Sequence, residues 1–256
     1  MRIARFVAPS AGLSWGVVEG QDAPTVAAID GHPFGPITFT GDRWALADVR
    51  LLSPILPSKV VAVGRNYADH AREMGNEVPE IPLLFLKPST SVIGTGDVIR
   101  LPASSQQVEH EAELAVVIGR PAKDVDREKA LDHVLGYAAA NDVTARDQQR
   151  ADVQFTRAKG YDSFCPIGPW VETVLDPSDL RVTASVNGQV RQDGRTSQMV
   201  HDIPSLIAFA SNIMTLLPGD VILTGTPAGV GPLRNGDTVS VEVEGVGTLT
   251  NEVRAT

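Results

Sequence analysis

The chain has 256 residues, a hydrophobic fraction of 43% and a formal net charge of −9, which places it among folded proteins and outside disordered compositions. That acidity, with no cluster of Lys and Arg, excludes a general affinity for nucleic-acid phosphates, and the single Cys165 excludes an intrachain disulfide framework and fits a reducing, cytoplasmic compartment. The best apolar stretch, residues 203–217, is interrupted by Ser205, Ser211 and Asn212 and is too short to span a bilayer, and residues 1–12 lack the apolar core of a secretory signal.

The first fifty residues read as a small β unit, with strand-like runs at residues 2–6, 15–19 and 25–29 separated by Gly, Pro, Ser and Asp. Pro54 and Pro57 bracket a connector, which puts a domain boundary near residue 56 and divides the chain into residues 1–56 and 57–256. Residues 59–63 predict a strand running into the polar segment 64–74, where Asp69 would cap a short helix. Residues 109–118 predict one strand, β-branched in its second half and ended by Gly119. Residues 127–135 predict a helix with Asp126 as N-cap and Gly136 as C-terminal cap, and residues 136–140 a buried strand. A second helix is predicted over 205–217, entered through Pro204 and stopped by Pro218-Gly219. Strands follow at 220–223 and 239–243, and Glu244-Gly245 turns into a last one at 248–253. The fold class is mainly β with some α, without the strand–helix alternation of a parallel α/β sheet.

Three segments carry chemistry. In a strand, Glu111 and Glu113 project to one face with Cα atoms roughly 6.6 Å apart. Two carboxylates on a partly buried face need a proton, a basic side chain or a metal, and all-oxygen donors select Mg²⁺ first, then Mn²⁺ or Ca²⁺. Glu109 shares their parity and stays in competition as a ligand, while His110 points to the other face. Asp142 stands at the end of the buried strand, well placed for a third carboxylate, with Asp147 and Asp152 as further candidates. In the segment 64–74, His70 and Glu73 are three apart and meet on one helix face, the arrangement of an imidazole base held by a carboxylate. The turn-rich residues 75–79 after it make this a candidate lid. Lys159 precedes a Gly-Tyr-Asp turn, and Thr226 follows a strand in a Thr-Gly-Thr-Pro loop; the Gly229 and Gly231 loop lacks the ending of a phosphate-binding P-loop. His32, His133 and His201 have no partners visible in the sequence, and Cys165 reads as a buried small side chain.

Together, residues 61–74, 85–89, 111–119, 136–147 and 223–227 resemble the fumarylacetoacetate hydrolase superfamily in order and spacing, over residues 58–254. The resemblance implies a mixed β-sandwich roll with a small N-terminal β domain, usually dimeric, that binds Mg²⁺ or Mn²⁺ through Glu111, Glu113 and Asp142. It also assigns the His70–Glu73 dyad to the lid, and Lys159 with Arg146, Gln149 and Thr226 to the substrate. The implied substrate is a small 2-oxo or 2-enol carboxylate. The implied reactions are C–C hydrolysis of an acylpyruvate first, then 2-hydroxyhepta-2,4-diene-1,7-dioate isomerisation or oxaloacetate-type decarboxylation in aromatic degradation. A non-catalytic, metal-stabilised binding protein on the same scaffold is the expectation from another class.

Overall fold

The computed structural model describes residues 1–9 and 12–256. Its spine is the strand Ala112–Ile118, buried along its whole length. Leu114, Val116 and Ile118 face one core with Ile203, Leu206, Ile207, Val241 and Val243, while Ala115 and Val117 face a second with Val60, Ala62, Ala138, Ala140 and Leu223. Alternation along a strand that is covered on both faces explains why the run reads as continuously apolar. Each fully buried Leu or Val on it contributes about 1.5–3 kcal/mol.

The largest sheet runs Phe39–Ala45, Thr25–Ile29, Gly12–Glu19, Arg2–Ala8, Cys165–Glu172, Val134–Asn141, Ala112–Ile118, Val221–Leu223, Val60–Gly64, Leu83–Lys87. Most neighbours are antiparallel, and Val221–Leu223 pairs with Val60–Gly64 in parallel. A five-stranded sheet runs Gln189–Arg195, Arg181–Val186, Thr238–Val243, Gly247–Ala255, Val98–Leu101, and its inner residues cover one face of the large sheet. A small sheet joins Thr144–Ala145, Val108–His110 and Gly231–Pro232. The result is an α+β roll dominated by strands. The N-terminal strands have a core of their own around Phe6, Val18 and Val26, yet Arg2–Ala8 hydrogen-bonds to Cys165–Glu172 and makes the sheet continuous. No helix among the described residues is long and apolar enough to cross a membrane.

This topology sets the site. Val60–Gly64, Val221–Leu223 and Val134–Asn141 all end at the sheet edge where Ala112–Ile118 begins, because the last is antiparallel to the other three or to their partners. Side chains from four strands therefore converge there.

Several local expectations are corrected. The strand over 109–118 is two strands, Val108–His110 and Ala112–Ile118, separated at Glu111. The helix over 127–135 is a 3-10 segment, Arg127–His133, and Asp126 makes no side-chain cap. Gly136 lies inside Val134–Asn141, where an added Cβ would meet the Glu172 carbonyl at 2.4 Å, so sheet pairing takes the residues that helix propensity claimed. The second helix is Ile203–Ile213, starting and ending earlier than predicted, and its cap is Asp202, which accepts the Ser205 N–H at 3.0 Å. Its last predicted turn is lost to a bridge between Leu216 and Ala122. The short helix Ala68–Glu73 has Tyr67 at its N-cap, and Asp69 lies inside it, paired with Arg72.

Candidate metal and proton-transfer site

Glu111, Glu113 and Asp142 are all buried, and each offers an oxygen within 4.8 Å of the others. Glu111 stands at the break between the two strands, and its carboxylate groups with those of Glu113 and Asp142. Glu109 accepts from Arg146 Nε at 2.8 Å and from Gln107 at 2.8 Å, and lies outside the triad. Asp147 accepts from Ser105 and the Gln106 N–H, and Asp152 pairs with Arg157 at the surface, so neither approaches the triad. His110 is buried and its Nδ1 meets Gln192 Oε1 at 2.9 Å.

Three cations press on the carboxylates. Lys159 Nζ donates to Glu111 Oε2 at 2.9 Å, Asp142 Oδ2 at 2.6 Å and Thr144 Oγ1 at 2.8 Å. Arg146 spans Glu109 and Glu111, with Nη2 at 2.5 Å from Glu111 Oε1, and its Nη1 reaches Gln149 Oε1 at 2.8 Å. Lys87 Nζ sits 2.5 Å from Asp142 Oδ1. Burial pushes Glu111 up, but Lys159, Arg146 and His70 outweigh it and hold the group well below the usual carboxylate range. Glu113 is the opposite case. Burial, then Asp142 and Glu111, push it well above its ordinary value, and it accepts the Gly225 N–H at 2.7 Å.

This asymmetry tests the fit of a metal. Glu109, Glu111, Glu113 and Asp142 set four carboxylates against the three cations Lys87, Arg146 and Lys159, and Glu113 is the member of the triad without an ion pair among the described residues. A buried carboxylate facing two others is compensated by a cation, and three oxygen donors suit a hard divalent ion. The residues fit such a group.

Opposite the triad stands the helix Ala68–Glu73. His70 Nδ1 lies 3.3 Å from Glu73 Oε2, and its Nε2 lies 3.9 Å from Glu111 Oε1. Glu73 also accepts the Gly229 N–H, at 3.1 and 3.2 Å, so the dyad is tied to the loop after Thr226. Asn66 fixes the segment before that helix by donating to the carbonyls of Thr224 and His201 and accepting the His201 N–H. Its Cβ would lie 2.7 Å from a Cβ on Gly225, whose φ of +98 lets the loop present its N–H to Glu113.

A cavity of about 290 Å³ opens between these walls. His70, Glu111, Glu113, Asp142, Arg146, Gln149, Lys159 and Thr226 line it, and Glu73 stands behind His70. The nine residues that the resemblance assigned to the site are thus brought together, while Glu109, Asp147 and Asp152 stand outside the triad. Sequence spacing does not mark Arg65, which lines the cavity with a positive φ of 58, Arg150 at its wall, or Lys87 and Asn66 beside it. Lys87 had a signal: a Lys that ends the apolar run of Leu83–Lys87 and precedes Pro88. Cys165, as expected, is a buried small side chain, its thiol pushed up to about 12 by burial.

The fumarylacetoacetate (FAA) hydrolase C-terminal family matches residues 59–254, and the Rv2993c-like N-terminal family matches residues 1–54. Protein Rv2993c of Mycobacterium tuberculosis is 56% identical over 99% of this chain and 98% of its own length. The crystal structure of a 5-carboxymethyl-2-hydroxymuconate delta-isomerase from Mycobacterium smegmatis superposes with a TM-score of 0.95 at 56% identity, covering 100% of both chains. A mitochondrial oxaloacetate decarboxylase of Dictyostelium discoideum is 46% identical over 74% of this chain and 90% of its own.

Proposed function

The chain belongs to the fumarylacetoacetate hydrolase family, and from that premise we propose that it is a divalent-metal-dependent enzyme acting on short 2-oxo or 2-enol dicarboxylates through their enolates. The observation that carries this reading is the position of His70 Nε2, 3.9 Å from Glu111 Oε1, on the wall of the cavity that holds the triad. A divalent ion, Mg²⁺ or Mn²⁺, held by Glu111, Glu113 and Asp142 would supply Lewis-acid polarisation of the 2-oxo group.

The chain's own residues do the rest. Glu73 accepts the Gly229 N–H, so the dyad is polarised with His70 Nδ1 donating to Glu73 and the Nε2 lone pair turned to the cavity. That lone pair takes a proton from the carbon next to the 2-oxo group, and the imidazolium so formed is held by Glu73. Returned to oxygen or to another carbon, the proton completes a tautomerisation or isomerisation. Decarboxylation begins without that abstraction: CO₂ leaves from the 2-oxo form, the electrons of the broken C–C bond form the enolate, and an imidazolium at His70 delivers the proton that carbon then takes up. Arg65 and Arg150 give the cavity two further positive groups for a distal carboxylate, and Gln149, oriented by Arg146, adds an amide. Phe85 and Phe155, packed edge to face, narrow the cavity and limit its water.

The names of the isomerase structure and of the decarboxylase relative support these proton-transfer outcomes. C–C hydrolysis of an acylpyruvate is the second reading, favoured by the same dyad: an imidazole base on the cavity wall, held by Glu73, can take its proton from a water in place of carbon. One experiment separates them. Metal-stripped protein is given Mg²⁺ or Mn²⁺ and assayed for loss of CO₂ and enol–keto exchange with oxaloacetate, isomerisation of the diene-dioate and cleavage of acylpyruvate. Turnover of oxaloacetate or the diene-dioate, lost in His70→Ala, is expected. Turnover of none of the three, with either metal, overturns the enzyme reading.

A further inference from the structure

Gln192 belongs to the five-stranded sheet, on a strand whose sequence, Gln189–Arg195, is polar and reads as a solvated edge. It is nevertheless fully buried. The cause is a shift in register: Ala184 pairs with Gln192 but Ser185 pairs with Val190, which leaves Arg191 as an extra residue. A bulge of this kind re-aims the neighbouring side chain, here inward.

Inside, the amide has all four of its hydrogen-bonding positions filled. Oε1 accepts the Ala112 N–H at 2.9 Å and meets His110 Nδ1 at 2.9 Å. Nε2 donates to Thr226 Oγ1 at 2.7 Å and to the Pro227 carbonyl at 2.8 Å. The acceptor half therefore holds the backbone between Glu111 and Glu113, at the break between their strands. The donor half holds the loop that carries Thr226. It also settles the polarity of Thr226: that hydroxyl donates to the Ala112 carbonyl at 2.8 Å and accepts from Gln192, so it faces the cavity with a lone pair and no proton. The same strand shapes the loop by contact. A Cβ on Gly229 would meet the Arg191 carbonyl at 2.1 Å, and one on Gly194 would meet Pro227 Cβ at 2.5 Å.

We propose that Gln192 is a positioning residue whose two halves act separately, the acceptor half setting the spacing of Glu111 and Glu113 and the donor half presenting Thr226 to the substrate as an acceptor. The assignment rests on the metal site of the proposed function. Outer partners of ligand groups change metal affinity by about 10–100-fold when removed, which gives the scale of the effect.

The test compares Gln192→Glu, which keeps the acceptor half, with Gln192→Met, which keeps the size and loses both. Mn²⁺ affinity is measured by calorimetry, oxalate affinity on the Mn²⁺-loaded protein, KM and kcat with oxaloacetate, and thermal melting on each variant. Gln192→Glu is expected to bind Mn²⁺ within about threefold of wild type, but to weaken oxalate and raise KM by roughly 10-fold while kcat changes less. Gln192→Met is expected to weaken Mn²⁺ by about 10-fold or more as well. A folded Gln192→Met with wild-type Mn²⁺ and oxalate affinities overturns the inference. Should that variant fail to fold, unchanged oxalate binding and KM in Gln192→Glu overturn it alone. Wild type that binds no Mn²⁺ overturns the proposed function, and this inference with it.

Discussion

His70 presents Nε2 to Glu111 Oε1 across 3.9 Å, a gap too long for a hydrogen bond and short enough for a substrate atom held at the triad to come within reach of the imidazole. A base that acts on substrate and leaves the metal alone has a separable signature. His70→Ala is expected to lower kcat by about 10²–10⁴-fold, the usual worth of general base catalysis, with Mn²⁺ affinity nearly unchanged. Steady-state kinetics beside Mn²⁺ calorimetry check this; a parallel loss of both would make His70 a ligand instead.

Glu113 gives a pH dependence whose sign follows from its surroundings. Burial, Asp142 and Glu111 raise its folded pKa well above the ordinary 4.5, so above that value the folded chain binds more protons than the unfolded chain. Stability of the metal-free protein is therefore present below the ordinary Glu value and is lost as pH rises through the raised one. Carboxylates held low, such as Asp202 and Asp220, act oppositely and only at more acid pH. The buried His110, held below its ordinary value by burial, contributes the opposite slope in wild type and variant alike, so above about pH 5 metal-free wild type is expected to lose melting stability relative to Glu113→Gln as pH rises. Mn²⁺ should stabilise wild type more at the upper end, because binding displaces that proton. Equal slopes in wild type and Glu113→Gln would remove Glu113 as the source.

What could be read from the sequence divides along physical lines. Strand parity and a strand end, both local, mark Glu111, Glu113 and Asp142 only as candidates beside Glu109, Asp147 and Asp152, and helical spacing marks His70–Glu73; the choice among them came from the family resemblance. The buried runs at 60–63 and 114–118 were legible as continuous apolar strands. The exclusion of Glu109 was not, since it depends on a break at Glu111 that Gln192, eighty residues away in sequence from Ala112, helps to hold. Gly136 looked like a helix cap because capping is local, while its close approach to Glu172 is tertiary. Gln192 itself gave no signal: polar neighbours mark a surface strand, and only the register shift turns one of them inward.

Lys87 predicts a stability effect that metal should reduce. Its ammonium is buried, 2.5 Å from Asp142 Oδ1 and 3.4 Å from the Val143 carbonyl. Removing one partner of a buried ion pair costs about 3–5 kcal/mol, because the charge left behind has lost its compensation. Asp142 keeps Lys159, which places Lys87→Met toward the lower end of that range. Urea denaturation with and without Mn²⁺ is the measurement. A cation at the triad should narrow the gap between variant and wild type, and a gap that does not depend on Mn²⁺ would assign Lys87 to packing alone.

The link between Glu73 and Gly229 predicts a change in catalysis from a residue outside the cavity. Gly229 has a φ of +97, a region side chains rarely adopt, and a Cβ there would collide with the Arg191 carbonyl at 2.1 Å. Gly229→Ala must therefore move the loop away from the bulged strand, at a cost of about 1–3 kcal/mol for the strained conformation. The N–H now donated to both Glu73 oxygens moves with it. Glu73 then loses the contact that orients it toward His70 Nδ1, while the triad, held by strands, stays in place. The expected result is a kcat lowered by roughly 10-fold, part of the general-base effect, at nearly constant Mn²⁺ affinity. Because the loop also carries Thr226, KM should rise too, which separates this variant from His70→Ala. Wild-type kcat in a folded Gly229→Ala would show that the His70–Glu73 pair needs no support from the loop.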